Sequence, residues 1–161
     1  MASVSGYAGI LTQQNVPTYR VDFGALAVGG AGNAVQIIGS ATTTVKIIQF
    51  AIWKPSVNIT VTLRKQSTAD SGGTSTTPTP LPMSTASAAA TAVVKLYTAA
   101  PTQGTIVALL FTLNMTPGDT YIDQPGDAWG QPIVLNGVAQ AFAITADAAV
   151  TLRGFIEFTE S

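Results

Sequence analysis

Three aspartates are the residues of this sequence whose type and spacing could do chemistry. Asp119, Asp123 and Asp127 recur at every fourth position of the segment 117–127, which begins and ends with Pro-Gly-Asp. Carboxylate oxygens suit a hard cation, so one interpretation is a calcium-binding loop. The alternative is a pair of tight turns, in which each aspartate accepts hydrogen bonds from nearby backbone amides. The spacing matches no established calcium loop, so we favour the turns and predict no metal or other cofactor.

Catalysis is disfavoured by what the composition lacks. The chain has no histidine and no cysteine, which removes the commonest general base and the most reactive nucleophile. The segment Gly29-Gly30-Ala31-Gly32 is followed by neither a lysine nor a helical pattern, so it predicts a turn and not a phosphate-binding loop. We therefore predict that the protein is not an enzyme and has no catalytic residues.

Four aromatic residues allow a second kind of binding site. Trp53, Tyr97, Tyr121 and Trp129 could form a platform on which a sugar ring stacks. Large aromatic side chains more often belong to a core, and Trp53 ends a predicted strand. Trp129 follows a Pro-Gly-Asp turn and precedes a glycine, so we predict that its side chain is an exposed contact.

The composition is poor in charge. Of the 161 residues, 9% are charged and 47% are hydrophobic, and the net charge is −1, whereas an average soluble protein has about 25% charged residues. The basic residues are spread along the chain, so neither a phosphate-binding face nor a nucleic-acid partner is expected. The longest purely apolar run, 106–111, is too short to span a membrane. We expect a surface of small polar residues that other subunits partly cover.

Apolar and polar residues alternate through much of the sequence, which predicts strands and not helices. Strands are predicted at residues 19–28, 34–39, 45–53, 57–63, 91–97, 106–113, 132–135, 138–145 and 150–158. About eight strands separated by turns indicate an all-β, antiparallel β-sandwich. A jelly roll fits this number best.

Two of the predicted strands, 45–53 and 106–113, are apolar on both faces. In the first, strict alternation places Ile47 and Phe50 on opposite faces. Such a strand lies in the middle of a sheet, or its outer face is covered by a loop or by a neighbouring subunit. We predict that oligomerisation covers the outer face of one or the other of these two runs.

One folded domain is predicted over residues 19–161, preceded by an extended arm at 1–18. Within the domain, 67–83 is a loop of Ser, Thr and Gly that ends in alternating prolines, which hold the chain extended and exclude it from a central strand. A structureless loop of this length is usually functional or bound by a partner. The arm and the loop are also poor in charge, unlike a solvated disordered tail. We predict assembly contacts at Tyr7, Ile10, Leu11, Val16, Pro78, Pro80, Pro82 and Trp129.

Several strings of the sequence resemble a family of small virion structural proteins of tailed bacteriophages. They are Leu63-Arg-Lys-Gln-Ser-Thr-Ala-Asp-Ser-Gly-Gly, then Ala88-Ala-Ala-Thr-Ala-Val-Val-Lys-Leu-Tyr-Thr-Ala-Ala-Pro, Gly-Gln-Pro-Ile-Val-Leu-Asn-Gly137 and the final strand ending Ile156-Glu-Phe-Thr-Glu160. The resemblance covers residues 45–161. The prolines of the 67–83 loop stand where similar proteins tend to be charged.

This resemblance implies a jelly-roll-like fold and a role as a head decoration (cement) protein. Such a protein lies on the capsid surface as a homotrimer and stabilises the phage head by bridging capsid subunits. The expected partners are then further copies of this chain and the major capsid protein, with no membrane involved. Two alternatives remain open: another virion component (a capsid jelly roll, a tail or a fibre module), and a carbohydrate-binding module.

Overall fold

The computed structural model describes residues 16–125 and 131–161. The elements of these ranges are thirteen β-strands: β1 (Thr18–Asp22), β2 (Leu26–Val28), β3 (Gly32–Ile38), β4 (Thr44–Trp53), β5 (Ile59–Gln66), β6 (Thr74–Thr76), β7 (Leu81–Pro82), β8 (Val93–Ala99), β9 (Ile106–Met115), β10 (Thr120–Asp123), β11 (Ile133–Asn136), β12 (Ala141–Ala146) and β13 (Val150–Glu160). They form two antiparallel sheets that pack against each other, so the predicted all-β sandwich is confirmed.

The first sheet has seven strands, in the order β10-β4-β13-β1-β7. β4 and β13 are the long strands of this sheet. Along one of its sides, each of them pairs with two short strands. β10 pairs with the second half of β4 and β11 with its first half. In the same way, β1 and β2 pair with successive parts of β13. The predicted single strand at 19–28 is therefore two strands, separated by a turn.

The second sheet has six strands, in the order β6-β8-β3-β12-β5-β9. β3 and β12 are its most buried strands, and every residue of both is buried. β9 is one edge of this sheet and the three-residue strand β6 is the other. The central strands of this sheet are therefore buried, and its two edge strands differ greatly in length.

One hydrophobic core lies between the two sheets. Phe50 of β4 packs against Phe142 of β12 with their ring centroids 5.8 Å apart, which joins the sheets near the middle of the sandwich. Tyr19 of β1 stacks on Phe158 of β13 at 5.5 Å. These contacts bury the largest side chains of the chain, as expected of the main source of stability in a sandwich.

The predicted division of β4 into two faces is wrong. Ile47 and Phe50 both face the core, although strict alternation places them on opposite sides. The ladder between β4 and β13 is irregular opposite Ile48, where two successive β13 residues pair with Ile47 and Gln49. This β-bulge inserts one residue and moves the alternation by one position, so the apolar residues before and after it reach the same core.

Candidate assembly surface

β9 is an edge strand, so residues 106–113 are not central in their sheet; the other predicted possibility, that a loop or a neighbouring subunit covers the outer face, stays a prediction. One side of β9 pairs with β5, and its other side pairs with no strand in the described parts of the chain. Leu109 and Val107 are 63% and 57% exposed, and Ile106 and Phe111 are exposed as well. A ten-residue apolar strand with a free backbone edge is a template for pairing with another strand.

The sequence of β9 contains none of the residues that usually protect an edge strand from pairing. No Asp, Glu, Lys or Arg occurs between Lys95 and Asp119, and the strand itself has no proline. The register of β9 against β5 shifts at two points, which bends the strand. These shifts place no charge on the edge and remove no backbone amide hydrogen from it. The edge is therefore both apolar and able to form hydrogen bonds along its length.

The other sheet edges are short or contain proline. β6 has three exposed polar residues, Thr74–Thr76. β7 has two residues, and one of them, Pro82, has no amide hydrogen to donate. The first sheet ends on its other side in β10 and β11, which have four residues each and leave a gap between them. Among the described edges, β9 alone is long and free of proline.

Aromatic side chains close the mouth of the sandwich beside β9. Phe111 stacks on Tyr121 of β10 with ring centroids 5.8 Å apart, and Tyr121 also packs against Phe50 at 6.0 Å. The Tyr121 hydroxyl donates a hydrogen bond of 2.9 Å to Asp123. Burial, together with this carboxylate, raises the pKa of Tyr121 well above its usual value. The inner side of the β9 edge is therefore rigid, while its outer side chains are free.

The predicted sugar platform is not assembled by the aromatic residues that the structure describes. Trp53 packs against Phe155, and Tyr121 is held between two phenylalanines. Tyr97 is buried in the second sheet, whereas the other two residues belong to the first. Trp129, predicted to be an exposed contact, lies outside the described residues.

The 67–83 loop is not structureless, because its own domain holds it at three points. The first point is the buried carboxylate of Asp70, which accepts hydrogen bonds from Asn33 (2.6 Å), Gln66 (2.8 Å) and the Gly104 amide (2.9 Å). Gly104 has no room for a side chain, since a Cβ there would collide with the backbone oxygen of Thr68. This polar cluster fastens the start of the loop to the outer face of the second sheet.

The other two points are strands that the sequence did not predict. β6 pairs with β8 at the edge of the second sheet, and β7 pairs with β1 at the edge of the first. Of the predicted contact residues in the loop, Pro82 is exposed, Pro78 is half-buried and Pro80 is buried by its own domain. Leu81, 63% exposed, is the most exposed large apolar side chain of this edge. The loop therefore exposes one short apolar sheet edge, and it is attached to its own domain.

The arm is largely outside the described residues. This applies to Tyr7, Ile10 and Leu11, and their contacts remain predictions. Val16 is described and is 36% exposed. It is followed by β1, which begins at Thr18. The arm therefore enters the domain at the β1–β7 edge of the first sheet.

The aspartates of the 117–127 segment serve their own turns where they are described. Asp119 accepts hydrogen bonds from the amide of Thr116 (2.7 Å) and from its hydroxyl (3.0 Å), as the turn interpretation predicts. Asp123 is buried and accepts from the Tyr121 hydroxyl and the Gln124 amide. Asp127 lies outside the described residues. Within the ranges 16–125 and 131–161, no three acidic side chains are grouped to share a metal ion.

Sequence reasoning missed two features of this surface. It selected 106–113 for its apolar character but not as an edge, and no signal was available, because an uncharged apolar run is equally typical of a buried strand. It also missed the Asp70 cluster. There the signal was Gln36, a polar residue between Val35 and Ile37 in a strand that is otherwise apolar, since Gln36 bonds to Gln66 at 2.8 Å.

Across the described ranges there is no helix with the length and apolar character that a membrane crossing requires. Comparisons with known protein families, with curated proteins and with solved structures found no match.

Proposed function

We propose that the protein is a non-enzymatic structural component of a virus particle, a decoration (cement) protein that lies on a phage head and bridges capsid subunits. The observation that carries the proposal is the β9 edge: ten residues without charge or proline, with four exposed apolar side chains and an unpaired backbone. A protein that worked alone in solution would risk aggregation through such an edge. In an assembly the same edge is an interface.

The order of the strands supports a jelly roll, an architecture that is common in viral capsid proteins. Counting β1 with β2 and β10 with β11, and setting aside the inserted β6–β8, leaves eight strands. The first sheet then contains the first, eighth, third and sixth of them, and the second sheet the second, seventh, fourth and fifth. This is the order produced when a long antiparallel hairpin is rolled into two facing sheets. The resemblance of residues 45–161 to phage virion proteins agrees with it.

The partners proposed are further copies of the chain and the major capsid protein. Of the eleven large apolar residues that are exposed in the described ranges, seven form two groups: four on β9, and Leu81, Met83 and Val16 at or beside the β1–β7 edge. The other four, Val57, Val93, Ile122 and Val138, are exposed elsewhere. Two separate surfaces are what a bridging protein needs, one for its own copies and one for the lattice. We assign the β1–β7 edge and the arm to the capsid.

Among the alternatives, another virion component would use the same two surfaces and differs only in its position in the particle. A carbohydrate-binding module is less well supported, because Trp53, Tyr97 and Tyr121 are engaged in packing within the domain. Sugar-binding platforms need aromatic faces that are open to solvent. The decoration role therefore remains the proposal.

The test is co-sedimentation of purified protein with phage particles that lack it. We expect wild type to sediment with the particles, and a variant with Tyr7, Ile10 and Leu11 all changed to Ala to be lost from them. A matched variant, with Gln13, Gln14 and Asn15 changed to Ala, should still bind. All three proteins should unfold at the same temperature. If wild type does not bind, or if the apolar variant binds as well as wild type, the proposal is wrong.

A further inference from the structure

We propose that β9 is the contact surface for a second copy of this chain, with the two β9 strands antiparallel across a two-fold axis. This inference rests on the proposed assembly role and names the partner of one of its surfaces. Its basis is the edge position of β9 combined with the exposure of Ile106, Val107, Leu109 and Phe111.

The backbone of β9 favours another strand as the occupant. Residues from Ile106 to Met115 pair with β5 on one side. The amide and carbonyl groups that point the other way form a row that no described strand completes. An added strand satisfies this row and packs its side chains on the exposed ones at the same time. A purely apolar partner would leave the backbone groups unsatisfied.

The charge pattern favours a copy of the same strand. A two-fold interface brings the same surface of both copies together, so a strand with charges of one sign would repel its own copy. β9 carries no charge, and the nearest charged residues along the chain are Lys95 and Asp119. Two copies therefore meet without repulsion, whereas a partner strand of ordinary charge would bury its charges unpaired.

The area available is sufficient for a stable pair. A ten-residue antiparallel strand is about 34 Å long, and a sandwich of two sheets about 10 Å apart presents a side roughly 20 Å wide when its side chains are included. Contact over this strip covers roughly 700 Å² on each copy, close to the value of about 800 Å² per partner that is typical of specific interfaces.

A two-fold contact is compatible with the trimer that the family resemblance implies. An isologous interface forms pairs, so it yields dimers or, if a trimer forms through other surfaces, pairs of trimers. In both cases the number of chains in the assembly is even. A head-to-tail contact through β9 would instead give rings or open chains of any number.

The first experiment is analytical ultracentrifugation of the full chain over a range of concentrations. We expect wild type to contain an even number of chains, and Leu109→Glu to raise the dissociation constant of pairing by roughly 100-fold or more, because each copy then buries a carboxylate in the contact without a partner of opposite charge. Leu81→Glu is the matched control, since Leu81 and Leu109 have the same residue type and the same 63% exposure. It should pair as wild type does. Circular dichroism checks that both variants are folded.

Single cysteines then locate the axis, because the natural chain has none. Antiparallel neighbours have Cα atoms about 4.5–5.5 Å apart, within the range of a disulfide. Cysteines placed singly at Ile106, Val107, Leu109 and Phe111 should cross-link two copies with a yield that is highest nearest the axis. The yield should fall on either side of it, and Leu81→Cys should give only background.

The outcomes separate this inference from the proposed function. The pairing is overturned if wild type is monomeric at all concentrations, if Leu109→Glu pairs as well as wild type, or if no β9 cysteine cross-links above the Leu81→Cys background. Any of these results, together with wild-type particle binding, would leave the decoration role intact. Conversely, pairing through β9 without binding to particles would support the inference and contradict the decoration role.

Discussion

β4 and β9 look alike in the sequence and have opposite surroundings in the fold. Both strands have ten residues and both are apolar on two faces. β4 lies inside its sheet, between β13 on one side and β10 and β11 on the other, and Ile47 and Phe50 are fully buried. β9 has a single neighbour, and most of its residues are exposed. Apolar residues on both faces therefore indicate a strand that needs covering, and do not indicate whether its own chain covers it.

The two strands differ in how much of their apolar surface the rest of the chain covers. β4 needs its bulge at Ile48 because it must deliver apolar residues to one core along its whole length. β9 meets the core only through part of its inner side, where Leu110 and Leu113 pack partly buried against it. Its outer residues have no layer above them in the described chain. We propose that in an assembly the missing layer comes from another chain.

The largest expected effect comes from placing the same charge in each strand. Ile47→Asp puts an unpaired carboxylate in the core and should lower the free energy of unfolding by more than about 4 kcal/mol, or prevent folding. Leu109→Asp should change it by no more than about 0.5 kcal/mol in dilute protein, where the site is at the surface. Urea unfolding measures both. Similar losses in the two variants would mean that β9 is covered by its own chain.

A smaller effect is expected where the loop covers the sheet beside β9. Asp70→Ala removes the acceptor of two buried donors, on Asn33 and Gln66, and of the half-buried Gly104 amide, which should cost about 3 kcal/mol of unfolding free energy. Asp119→Ala is the matched control, because Asp119 caps an exposed turn, and should cost about 1 kcal/mol or less. Equal losses would show that the Asp70 cluster does not hold the loop.

The smallest effect is expected at high pH. Burial, and then the charge of Asp70, raise the pKa of Tyr97 to about 12 from its ordinary value of 10.0. The folded protein thus keeps a proton that the unfolded chain loses, so stability is fully present below pH 10 and falls between pH 10 and about 12. In Tyr97→Phe this fall should be less steep. Unfolding in urea across this range tests it, and equal slopes in the two proteins would contradict the assignment.

Much of the fold could be predicted from the sequence, because alternation reports directly on the two faces of a strand. The prediction failed where a tertiary contact decided the outcome. The bulge at Ile48 depends on the register of β4 against β13. β6 and β7 have polar and proline-rich sequences, and they are strands only because each pairs with the edge of a sheet. The edge position of β9 could not be predicted, because it depends on which strands lie elsewhere in the sheet.

The residues of the candidate assembly surface could likewise be predicted only in part. The prolines were chosen for their sequence pattern, and the structure places Pro80 inside its own domain and Pro82 on an edge. Leu109 was never singled out, since an apolar residue in an apolar run carries no signal of exposure. The low charge led to the prediction of a surface of small polar residues that other subunits partly cover, and the second half of it stays a prediction.

Hydrogen exchange of the free and the particle-bound protein tests the central claim most directly, because it reports on both strands in one experiment. We predict that the amides of 106–115 exchange several-fold more slowly in the particle than in dilute free protein. The amides of 44–53 should be slow in both states, since β4 is already enclosed. If no particle retains the protein, the decoration role is wrong. If 106–115 exchanges at the same rate in both states, β9 is not an assembly edge in the particle and the account is wrong.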